Sequence, residues 1–148
     1  MKSESVKVVA RNKKANHDYF IIDTLEVGIS LYGTEIKSIR DTKVSINDAY
    51  VEAKGGELKV INMHISPYKQ GNIFNHNELR DRVLLAHKKE IIKLETKVKL
   101  ESFTIIPLEL YLKRGKAKLL IGLCKGKKNY DKRETLKEKD ARKDISKY

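Results

Sequence analysis

The chain of 148 residues holds one cysteine, no tryptophan and two prolines. A single thiol, Cys124, excludes an internal disulfide framework and any cysteine-based zinc cluster. A reducing compartment, the cytoplasm, suits such a chain. No apolar run approaches the roughly eighteen residues of a membrane-spanning helix. The opening Met1-Lys2-Ser3-Glu4-Ser5 lacks the apolar stretch of a secretory signal, so none is expected. A phosphate-cradling loop is missing too, because Gly126-Lys127-Lys128 has no earlier glycine to complete a P-loop. No Gly-x-Ser-x-Gly elbow supplies a nucleophile. Acidic residues are outnumbered, 20 against 32 basic ones, which leaves a net charge of +12. That excess favours a polyanionic partner, with nucleic acid ahead of an anionic membrane surface.

What remains is 40% hydrophobic residues, enough for one modest core. The charge is uneven: residues 124–148 hold 10 Lys/Arg and 5 Asp/Glu among few apolar side chains. Such a segment cannot bury enough surface to offset its ordering entropy. The expected organisation is therefore a globular domain over residues 1–125, its first ten or so residues flexible, and a basic tail over 126–148. Asp131 and Glu134 stand at reciprocal capping positions, and Glu138 and Arg142 form an i,i+4 pair. Leu136, Ala141 and Ile145 make only a narrow stripe, so the tail carries helix instructions without the packing to hold a helix alone. It is expected to be disordered when free and to fold on an anionic surface.

Strand signals dominate the domain. Tyr19-Phe20-Ile21-Ile22 reads as a first strand. Ala49–Ala53 and Leu58–Met63 flank Gly55-Gly56, a glycine pair suited to a tight hairpin. Phe103–Leu112, with Ile106, Leu108, Leu110 and Leu112 on one face, turns at Arg114-Gly115 into Ala117, Leu119, Ile121 and Leu123. Pro107 marks an edge or a bulge. Two helices interrupt the strands. One covers Gly33–Arg40 with Thr34 as N-cap. The other covers Lys88–Lys97, capped by His87 with Glu90 and facing inward through Ile91, Ile92, Leu94 and Val98. Leu84-Leu85 fits either a strand or that helix. The fold class is mainly β: a small closed antiparallel barrel, OB-fold-like, with two to three helices and the basic tail.

Candidate chemistry is sparse. The four histidines, His17, His64, His76 and His87, share no metal-ligand spacing, so no metal or cofactor is expected. Asp23, Glu35 and Lys37 imitate a Mg²⁺-dependent nuclease, in which two carboxylates hold the metal. That reading needs Glu35 and Lys37 on one strand face, whereas a helix makes them diverge. Basic residues recur beside aromatics instead. Lys13, Lys14, His17 and Tyr19 form one group; Arg80, Arg82, His87, Lys88 and Lys89 form another. Both groups could contact phosphates and stack on exposed bases.

Five segments in register resemble one family. They are Asn12–Ile21, Gly33–Ser38, His64–Tyr68, Phe74–His76 and Gly126–Glu134. They are similar to SmpB, the SsrA-binding (tmRNA-binding) protein family of bacteria. The resemblance implies an OB-fold barrel with a tail that is disordered when free. It implies a non-enzymatic monomer that binds the tRNA-like domain of tmRNA, mimics the anticodon arm and delivers tmRNA to stalled ribosomes. The tail would enter the empty mRNA channel at the small-subunit decoding centre, so that the incomplete peptide is tagged for degradation. By position, Glu26, Leu85 and His87 match tmRNA-binding residues. Gly126, Lys127 and Lys128 match the hinge and the basic start of the tail. Tyr130, Asp131, Lys132, Arg133 and Glu134 match the segment that acts at the decoding centre. The chain departs from the family pattern at Glu78, Val83 and Ala86, and it ends early at Tyr148. Rival readings are a generic OB-type or ribosomal RNA-binding protein and the nuclease.

Overall fold

A computed structural model describes residues 6–69 and 75–126. In chain order the elements are β1 (Val6–Arg11), α1 (Ala15–Asp18), β2 (Tyr19–Ile29), α2 (Gly33–Arg40), β3 (Val44–Ser45) and β4 (Tyr50–Lys54). Then come β5 (Glu57–Ile61), β6 (His64–Ile65), β7 (Arg82–Leu85), α3 (Lys88–Glu101), β8 (Thr104–Lys113) and β9 (Lys116–Gly126). The fold is mostly antiparallel β with a few helices. Seven strands run in the order β1-β8-β4-β5-β7-β2-β9, with a further pairing of β8 to β9, and β3 pairs β6 separately.

Both predicted hairpins form. Gly55 and Gly56 stand at φ 63° and 78°, the left-handed values a two-residue turn requires. Arg114 and Gly115 repeat this at φ 54° and 78°. The core is built from Leu58 and Val60 of β5, Ile65 of β6, Leu110 of β8 and Leu119 of β9. Ile39 of α2 and Ile91 of α3 join it from the helices.

Several local expectations are corrected. Val6–Ala10, expected among the flexible first residues, belong to β1, whose backbone pairs with β8 from Val6↔Lys113 to Arg11↔Glu109. The face expected for Ile106, Leu108, Leu110 and Leu112 is split. A bulge between Pro107 and Glu109 adds a residue to β8 and reverses its two faces. Ile105 and Leu110 therefore enter the main core, while Ile106 joins Ala15 and Cys124 in a second cluster, with Leu108 and Tyr19 against it. Burial there pushes the Cys124 thiol up to about 11, so it packs as a small apolar group.

The N-cap of α2 is Tyr32, not Thr34. The Tyr32 N–H donates to Glu35 Oε1 at 2.8 Å, while Thr34 Oγ1 is paired with His76 Nδ1 at 2.9 Å. On α3, His87 is the N-cap as expected, and its N–H donates to Glu90 Oε1 at 3.3 Å. Ile91, Leu94 and Val98 face inward, but Ile92 is 50% exposed. It lies about 100° around the helix from Ile91, and only one side of α3 is covered. Leu84-Leu85 lies on strand β7, with Leu84 in the core and Leu85 outside.

Candidate nucleic-acid interface

Strand alternation decides which side chains face outward. On β2, Val27 is buried and Leu25 packs on the core, so Glu26 and Gly28 face out. Gly28 pairs with Leu85 of β7 on one side and with Lys118 of β9 on the other. Lys118 in turn pairs with Tyr111 of β8. Glu26, Leu85, Lys118, Tyr111 and Lys113 thus share one outer face. A Cβ placed on Gly28 would stand 3.3 Å from Leu85 Cβ, so the glycine lets Leu85 lie close over the strand. Leu85 remains 57% exposed. His87 follows it at the cap of α3, and Lys88 opens that helix beside the β4–β5 turn.

Glu26 is held from across β9. Its Oε2 accepts the Tyr111 hydroxyl and lies 3.5 Å from Lys113 Nζ. The Tyr111 bond chiefly holds the Glu26 carboxyl below the usual range; partial burial opposes it, and Lys113 and Lys118 reinforce it. Burial and the neighbouring carboxylate push the Tyr111 phenol up, so it stays a donor. Tyr111 and Lys113 were not among the residues the sequence singled out. A tyrosine in an alternating strand reads as core, and nothing local links it to a glutamate 85 positions away.

Arg82, expected to contact RNA, is fully buried and cannot. Its Nε donates to Glu35 Oε2 at 2.7 Å and its Nη1 to the Met63 carbonyl at 2.6 Å. Its Nη2 reaches the Asn77 and Glu78 carbonyls, each at 3.3 Å. Arg80 is partly committed as well. It forks onto Glu35 at 2.7 and 3.2 Å and stacks 3.9 Å above the Tyr32 ring, leaving a quarter of its side chain exposed. Both Glu35 oxygens are therefore taken by guanidinium groups. Lys37 lies over the Tyr68 ring and Asp23 Oδ1 accepts the Thr24 N–H, so the nuclease triad does not assemble. Among the described residues no group of three or more His, Cys, Asp or Glu could hold a metal ion.

The first basic group gathers at the start of β2. Lys14, Tyr19, Asn47, Asp48 and Tyr50 line a cleft of about 270 Å³. Asn12 staples its floor, its side-chain N–H donating to the Pro107 carbonyl at 3.0 Å. Lys14 Nζ lies 3.4 Å from Asp48 and Lys13 N–H donates to Asn47 Oδ1. His17 is exposed on α1 with Asp18 at 2.8 Å, while Tyr19 is half-buried against the second cluster. Tyr19 and Glu26 stand on the same strand, about 23 Å apart by strand rise. Gly126 ends β9 opposite Tyr19. Lys127, Lys128, Tyr130, Asp131, Lys132, Arg133 and Glu134 lie outside the described residues. No helix among the described residues is long and apolar enough to cross a membrane.

The SmpB protein family profile matches residues 9–148. An SsrA-binding protein from Enterococcus hirae is 58% identical over 139 residues, covering 94% of this chain and 90% of the relative. One from Bacillus subtilis is 57% identical over 145 residues, covering 98% and 93%. One from Desulfitobacterium hafniense is 51% identical over 148 residues, covering 100% and 95%. A solved structure described as "tmRNA-SmpB: a journey to the center of the bacterial ribosome" contains a similar chain. It superposes with a TM-score of 0.66 at 43% identity, over 79% of this chain and 82% of that one.

Proposed function

The chain belongs to the SmpB protein family, and on that premise we propose that it is a tmRNA-binding factor of ribosome rescue. It binds the tRNA-like domain of tmRNA, brings tmRNA to stalled ribosomes and allows the incomplete peptide to be tagged for degradation. It catalyses no reaction itself and works in the cytoplasm as a monomer. The observation that carries this reading is the fold-level match to a chain of the tmRNA–SmpB complex, at an identity high enough to carry more than the fold.

The body acts as an OB-type closed barrel. Support comes from the β8–β9 pairing, which joins the last strand of the sheet order back to the second. Glu26, Leu85, His87 and Lys88 form the tmRNA face, read largely by shape and by unpaired loop nucleotides. Lys13, Lys14, His17 and Tyr19, some 20 Å along β2, supply a second contact. Arg80 contributes through its exposed quarter, and Arg82 only by bracing. Residues 126–148 act at the ribosome, with Gly126 as hinge, Lys127 and Lys128 in the mRNA channel, and Tyr130–Glu134 at the decoding centre.

This division of labour is tested by a truncation after Gly126. The truncated protein should bind the tRNA-like domain within about threefold of the full chain, because the tail offers at most a few phosphate contacts there. It should abolish tagging in a reconstituted translation assay. A large loss of tmRNA binding would contradict the assignment of recognition to the body.

A further inference from the structure

We propose that Tyr111, assisted by Lys113, is a positioning residue for RNA recognition. It fixes Glu26 so that Oε1 accepts a hydrogen bond from an N–H group on the edge of an unpaired base. The inference rests on the reading of Glu26 as an RNA contact and adds the mechanism of that contact. A carboxylate on a polyanion-binding face needs explanation, since it repels phosphate and can only accept hydrogen bonds. The geometry answers both points. Tyr111 hydroxyl and Lys113 Nζ converge on Oε2, while Oε1 has no hydrogen-bond partner among the described residues. Lys113 and Lys118 place two positive charges beside one negative one, so the locality stays attractive to RNA. Leu85, over half exposed above Gly28, offers an apolar wall against which a base face, rather than a phosphate, lies. Carboxylate acceptance from a base amino group is an established mode of direct readout.

Tyr111 is buried, only 8% exposed, and set between Val8 of β1 and Lys118 of β9 in register. Its tether reaches Glu26 across β9, so the carboxylate is aimed by the rigid sheet. Without that tether Glu26 would sample several rotamers and lose part of its discrimination.

The test is a double-mutant cycle on the full-length protein, titrated against the tRNA-like domain of tmRNA at two salt concentrations. Tyr111→Phe keeps the ring and removes the hydroxyl; Glu26→Gln removes the charged acceptor. Each should weaken binding about tenfold, and the double variant should bind no worse than Glu26→Gln alone. The dependence of affinity on salt should stay as in wild type, because no phosphate contact is lost. Lys113→Met, which leaves the ring untouched, should give a smaller loss in the same direction and guards against a folding defect in Tyr111→Phe. Wild-type binding by Tyr111→Phe alongside a weakened Glu26→Gln would overturn the positioning role alone. Wild-type binding by Glu26→Gln would overturn both the role and the reading it rests on. Fully additive losses would also contradict it.

Discussion

Arg82 and Glu35 show how little a formal charge says about availability. Both are fully buried, and Glu35 carries two guanidinium groups while α2 and β7 are pinned together around it. Burial by itself would raise the Glu35 carboxyl; the bonds from Arg80, the Tyr32 N–H and Arg82 outweigh it and hold the group below its ordinary value. A depressed carboxyl contributes stability that is present above the unfolded-state value and lost as pH falls through the folded one. Denaturation midpoints should therefore fall on acidification below the ordinary carboxylate value of 4.5, and Glu35→Gln should flatten that slope. The same substitution should cost about 3 kcal/mol at neutral pH, because it leaves Arg82 buried without its counter-charge. A urea titration reads both effects, and an unchanged acid slope would show that Glu35 is not the group responsible. The sequence displayed the Arg-x-Arg spacing but not its burial. Two arginines near β7 look like phosphate contacts until a distant glutamate is found between them. Glu26, Leu85 and His87 were singled out through resemblance to the family; Tyr111, which ties Glu26 down, carried no such signal.

At the level of elements, turn chemistry was the most readable signal. Gly55-Gly56 and Arg114-Gly115 announced both hairpins because few residue pairs accept two consecutive positive φ angles. The β8 bulge was half legible. Pro107 pointed to an irregularity, but periodicity alone cannot say that the extra residue sends Ile106 and Leu108 away from Leu110. The strand β1 escaped notice because Val6–Arg11 is mostly exposed and its order comes from pairing with β8. The bulged region also makes a quantitative prediction. Gly122 pairs with Ile106 and faces Leu108, and a Cβ there would stand 2.8 Å from Leu108 Cδ1. Gly122→Ala should destabilise by about 1–3 kcal/mol through overpacking. Pairing it with Leu108→Ala, which removes the obstructing atoms, should recover part of that loss. Denaturant midpoints compare the two, and an equal or greater loss in the pair would place the strain elsewhere.

For the whole molecule, composition and charge narrowed the partner to a polyanion, and spaced motifs narrowed it further. A net +12 favours association with any nucleic acid, so under the proposed function specificity falls to the body's outer face. That face combines a tethered carboxylate, an exposed leucine and a capping histidine with only a few cations. Such a surface suits a structured RNA with unpaired loop bases better than a plain duplex. The central claim is that recognition is built into this face and does not follow from charge. It is tested most directly by titrating the protein against the tRNA-like domain of tmRNA, an elongator tRNA and a duplex of equal length at two salt concentrations. A preference for the tmRNA domain that persists at the higher salt is expected. Equal affinity for all three, falling together as salt rises, would reduce the interaction to counterion release and contradict the account.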